Sequence, residues 1–166
     1  KSADTETSAD WKKTLEKVII TNNLNENLVG VATSQVGYTE SSRNYEYNAF
    51  AEKNNYTRYG EWYGSPYANW NTLFVSFCID NANIKNAESL EKATAEAMQS
   101  SWENENLYYS ADKYLGERGD VVFFDTNSDG RADRTGIAVF RTDNILIAIE
   151  GDVEGSVKAV TYMNPQ

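Results

Sequence analysis

The sequence predicts an α+β domain, with N-terminal helices packed on a C-terminal antiparallel β-sheet. Three observations carry this. The first two thirds of the chain place apolar residues at helical spacing. The last third holds short β-rich runs separated by turn residues. The chain has 166 residues, 40% apolar and 13% aromatic, which suits one domain with a hydrophobic core.

Taken in chain order, residues 1–10 are small, polar and acidic and read as a linker, leaving 11–166 as a single domain. Residues 11–20 carry Trp11, Leu15, Val18 and Ile19 on one helical face, with Asp10 as the N-cap. Residues 25–36 form a second helix, with Leu28, Val29, Ala32 and Val36 on one side and Gly37 as its stop. Residues 38–66 are polar and aromatic, a loop with short helical turns. A strongly apolar helix follows at 68–79, then an alanine- and glutamate-rich helix at 87–102. Strands are expected at 120–125, 135–140, 145–150 and 156–162.

Composition excludes several functions. Acidic residues outnumber basic ones, 25 to 15, giving a formal charge of −10. Such a surface repels phosphate backbones, so nucleic acid is not an expected partner. No apolar run reaches the length of a membrane span. There is one cysteine, so no internal disulfide forms. There is no histidine, which removes the side chain best suited to moving protons near neutral pH.

Residues 56–78 read Y-T-R-Y-G-E-W-Y-G-S-P-Y-A-N-W-N-T-L-F-V-S-F-C, and 119–139 read G-D-V-V-F-F-D-T-N-S-D-G-R-A-D-R-T-G-I-A-V. I-E-G-D follows at 149–152, and V-G-Y-T-E-S precedes at 36–41. Together these resemble the CHAP family of cysteine, histidine-dependent amidohydrolases and peptidases. The resemblance covers roughly residues 25–162, in the family's order and near its spacing. It implies a papain-like fold, acyl-transfer chemistry on peptidoglycan, and a secreted or cell-surface setting in a Gram-positive bacterium.

The departures fall on the chemistry. The position matching the family's nucleophile is Asn71, and the one matching its histidine base is Arg134. Glu150 matches the acidic orienting residue, and Asp152 stands where the family has asparagine. A carboxamide does not attack an amide at a useful rate. An arginine stays protonated and takes no proton from a nucleophile. Loss of both groups leaves positioning and any oxyanion hole. Cys78 lies two helical turns past Asn71 among apolar neighbours, which reads as a buried hydrophobe. Asn71, Arg134, Glu150 and Asp152 are expected to form a salt-bridged cluster in the old site, with Arg134 bidentate on Glu150.

Two further features are singled out. Asp125, Asn127, Asp129, Arg131 (through its carbonyl) and Asp133 occupy the ligand positions of an EF-hand-type loop, with glycine at 130. Gly136 stands where the bidentate glutamate belongs, and a polar β-turn with Asx hydrogen bonds accounts for the same residues. Related CHAP domains carry calcium in a similarly placed loop, so calcium is the candidate ion; no other cofactor is required. Among the aromatic residues before Asn71, Trp62, Tyr63 and Trp70 are expected to border a ligand groove.

The expected function is a catalytically degenerate amidase-type domain that binds a peptidoglycan fragment, a peptide or a protein partner. The alternative is an active cell-wall hydrolase with a non-standard site. Glu150 and Asp152 are poor glycosidase carboxylates, being two residues apart beside a cation. A structural spacer is the third reading.

Overall fold

A computed structural model describes residues 3–165. A 3₁₀ turn at Ala3–Thr5 leads into α1 (Ser8–Leu15) and α2 (Leu24–Gln35). A hairpin of β1 (Tyr45–Tyr47) and β2 (Lys53–Asn55) comes next. It is followed by α3 (Arg58–Tyr63), α4 (Asn71–Asn81), α5 (Ala87–Leu90) and α6 (Ala95–Asn104). The last third is β3 (Val121–Phe124), β4 (Arg134–Arg141), β5 (Ile145–Val153) and β6 (Ser156–Met163). These four strands form one antiparallel sheet in the order β3-β4-β5-β6. The helices-then-sheet architecture is the α+β arrangement expected from the sequence.

Helix α4 sits at the centre. Every residue from Asn71 to Ile79 is buried, which is why this helix is apolar all round and not amphipathic. It packs on β4 and β5 on one side and on α2 and α3 on the other. It comes into close contact with β5 at Gly151. A Cβ there would lie 2.6 Å from Phe74 Cβ, so only glycine lets helix and strand meet. Ile137, Ile149 and Val157 join this main core. The opposite sheet face carries a smaller cluster of Ala138, Leu146 and Ala148, covered by Val122, Phe124 and Tyr162.

Several expectations need correction. Helix α1 starts earlier and stops at Leu15, because Thr7 and Asp10 form a capping box, with Thr7 N donating to Asp10 Oδ2 at 3.1 Å. Asp10 is therefore inside the helix, and Ile19 is 83% exposed. The segment read as a linker is docked for residues 3–10. Asp4 accepts from Ser41, Ser42 and Arg43, and Glu6 pairs with Arg58 with both side chains about 4% exposed or less. The long helix at 87–102 is two helices. Between them Lys92 hooks onto α4, its N–H donating to Ser76 Oγ (2.9 Å) while Ser76 Oγ donates to its carbonyl (2.7 Å). Thr94 then caps α6.

Candidate functional site

The candidate site gathers where the N-terminus of α4 meets β4 and β5. Trp70 is the N-cap, with its backbone outside the helical region, and Asn71 is the first helical residue. The Asn71 side chain is 3% exposed. Its Nδ2 donates to Gly151 O (2.8 Å) and Thr135 O (3.2 Å), and its Oδ1 accepts from Thr135 N (2.8 Å). One carboxamide thus satisfies backbone groups of both strands. A thiol has neither the donors nor the acceptor for this.

Arg134 opens β4, one residue before this contact. Its Nη2 reaches Glu150 Oε2 at 3.4 Å, Gly151 O at 3.2 Å and Asp152 O at 3.4 Å. Asn71 and Arg134 therefore share the Gly151 carbonyl. The guanidinium does not grip Glu150 bidentately as expected, because Glu150 Oε1 is taken by the Tyr162 hydroxyl. Burial, followed by the Glu150 carboxylate, pushes the Tyr162 phenol well above its usual range, so it remains the donor. Glu150 is 1% exposed and rests over Gly136, where a Cβ would stand 2.8 Å from its Cγ.

Asp152 departs from the expected cluster. The β5–β6 register shifts between Glu150 and Val153, and Asp152 has a φ of 56°. Across this bulge Arg134 meets Asp152 at its carbonyl and forms its ion pair with Glu150 instead. Asp152 borders a polar groove of about 230 Å³ with Glu40, Lys53, Asn55, Tyr67 and Trp70. Burial and then the Glu40 carboxylate raise the Asp152 carboxyl, against an opposing pull from Arg134. Glu40 is fixed by Trp70 Nε1 (2.9 Å) and Asn55 Nδ2 (2.5 Å). Asn55 Oδ1 is buried with no partner.

Of the three aromatic residues expected at a groove, only Trp70 borders one. It is also core, stacked on Tyr59 at 5.4 Å and 15°. Trp62 packs edge-on against Phe77 and donates to Asp80 Oδ2. Asp80 lies nine residues beyond Asn71, about 14 Å along the helix axis, so Trp62 and its neighbour Tyr63 sit at the far end of α4. Sequence reasoning missed Glu40, Lys53, Asn55 and Tyr67. Three of them come from the loop and hairpin before α3, whose pairing leaves no periodic signal in segments this short.

In the 125–133 loop, Asp125 accepts from the amides of Asp129 (3.1 Å) and Gly130 (2.8 Å). Asp129 Oδ1 accepts from Arg131 N (2.9 Å), and Asp133 Oδ2 from Thr126 N (2.9 Å). Asn127 Oδ1 accepts from Asp129 N (3.1 Å). The Arg131 side chain leaves for Glu103 and Ser100 on α6. The loop oxygens serve the loop's own amides, and among the described residues no group of three or more acidic, cysteine or histidine side chains is poised to hold a metal. The geometry fits an Asx-turned connection between strands, and no chemistry is assigned to calcium. Cys78 is fully buried, and burial pushes its thiol well up.

Among the described residues, no helix is long and apolar enough to cross a membrane. Compared with family models, curated proteins and solved structures, the chain gives no match.

Proposed function

We propose that this chain is a catalytically silent, papain-like domain of CHAP type that binds cell-wall material through the groove beside α4. The observation that carries the reading is the state of the two key positions. The Asn71 carboxamide is spent on β4 and β5 backbone, and Arg134 is spent on Glu150 and the carbonyls of 151 and 152. Neither supplies a nucleophile or accepts a proton. Cys78 offers no substitute, being buried two turns deeper without a base.

The groove remains open beside these groups. Acceptors on Glu40 and Asp152, with Lys53 and Tyr67 at the same wall, suit a polar ligand carrying hydroxyl, amide or ammonium donors. A muropeptide has all three. The setting is a secreted or surface protein of a Gram-positive bacterium, and the partner a peptidoglycan fragment or peptide.

Co-sedimentation with purified Gram-positive cell walls tests this. The wild-type chain is expected to pellet with the walls. A double Tyr67→Ala, Asp152→Asn variant is expected to bind at least tenfold more weakly with an unchanged melting temperature. Asparagine tolerates the left-handed backbone at 152, so folding is spared. Failure of the wild type to pellet, or equal pelleting of the variant, rejects the groove as the binding site.

A second reading has one observation in its favour. Glu40 and Asp152 share the groove, with Asp152 raised by burial, which is the minimal equipment of a hydrolase using two carboxylates. Release of reducing ends from the same walls, abolished by Glu40→Gln, would establish it in place of the first.

A further inference from the structure

A second cavity lies on the sheet face turned away from the helices, between the sheet and the 111–116 segment. Its volume is about 310 Å³, within the range of small-molecule sites. Val122, Phe124, Ala138, Leu146 and Tyr162 make its floor apolar, and the Phe124 and Tyr162 rings lie 4.9 Å apart. Charged groups at its wall are Asp120 and Arg141. Asp120 is satisfied, its Oδ2 accepting from Tyr114 OH (2.9 Å) and Glu117 N (2.7 Å). Arg141 is not. Its Nε donates to Leu115 O at 2.9 Å, but its Nη1 is buried with no partner.

A guanidinium at the wall of an apolar cavity, where charge is weakly screened, favours an anionic acceptor in that cavity. We infer that this cavity is a binding site for a small organic monocarboxylate with an apolar body, its carboxylate on Arg141 and its chain over Phe124 and Tyr162. The inference is independent of the groove, which lies beside the α4 N-terminus. The net charge of −10 disfavours anions over the surface generally, so selectivity for the carboxylate must come from Arg141 itself. Arg141 also borders a neighbouring hollow with Val139 and Phe140, and the test separates the two.

Isothermal titration at pH 7 with octanoate, and with octanamide as its uncharged counterpart, reads this directly. Octanoate is expected to bind the wild-type chain at least tenfold more tightly than octanamide. Arg141→Met is expected to weaken octanoate at least tenfold while leaving octanamide unchanged. Ala111→Trp, at the exposed rim of the cavity, is expected to weaken both. Phe140→Ser, in the neighbouring hollow, is expected to change neither. Absence of octanoate binding, or equal affinity for octanamide, overturns the inference on the wild type alone, whatever the variants do. Loss of binding in Phe140→Ser with retention in Ala111→Trp overturns it too, by moving the ligand to the hollow.

Discussion

Asn71 has a structural role. Its carboxamide holds the helix to two strands by three hydrogen bonds between 2.8 and 3.2 Å. Asn71→Ala strands the Thr135 amide in a buried site and leaves the Gly151 carbonyl to Arg134 alone, and should cost about 2 kcal/mol in urea denaturation. An unchanged midpoint would show that these bonds contribute nothing. The sequence singled out 71 and 134 through the motifs that flank them, and the structure brings both to the Gly151 carbonyl. What those side chains do was not legible. The expected two-pronged grip of Arg134 on Glu150 fails because Tyr162, twelve residues further on and brought alongside by the β5–β6 pairing, takes one carboxylate oxygen. A separate side chain sets a pH dependence. Burial, and then the neighbouring Asp80, push the Glu91 carboxyl up to about 7. Its folded value lies above its unfolded one, so its stabilising share is complete below about pH 4.5 and is lost as pH rises through about 7. The melting temperature should fall over that window, and Glu91→Gln should flatten the fall. An identical pH profile in the variant contradicts the assignment.

Among the elements, the docked N-terminal segment and the α4–β5 contact are the most exposed to test. Arg58 lies over the Tyr38 ring, 4.1 Å from its centroid, donates to Gln35 Oε1 at 2.7 Å and pairs with Glu6. Both charged side chains are buried, so Arg58→Met breaks a buried ion pair by removing one member and should cost about 3–5 kcal/mol by thermal unfolding. A double Glu6→Gln, Arg58→Met variant should recover part of that loss. Gly151→Ala should be comparably harmful, since its Cβ must displace Phe74 and with it the Asn71 anchor. Helices α2 and α4 and the four strands were readable, because their apolar spacing is regular and their stops are glycine or turn residues. The 3–10 segment was not, because Glu6 finds its partner 52 residues away and nothing local in the sequence marks the pair. The break between α5 and α6 escaped for the same reason. Alanine and glutamate favour one long helix there, and Ser76 on another helix overrides that preference.

Over the whole molecule, a central apolar helix fixes the sheet, and the sheet presents two different surfaces. One end carries the polar groove of Glu40, Asn55 and Asp152; the outer face carries the apolar cavity at Arg141. The groove was only partly legible, because its walls come from the β1–β2 hairpin and from the bulge at Asp152, both products of tertiary pairing. What was legible is the absence of imidazole, with an amide at 71 and a fixed cation at 134. The central claim is that this scaffold binds without cutting. The most direct test is release of free amino groups from purified Gram-positive cell walls by the unmodified chain, followed over hours at neutral pH. The expected result is a signal equal to that of walls alone. Amine release that grows with protein concentration, and persists through repurification, would contradict it.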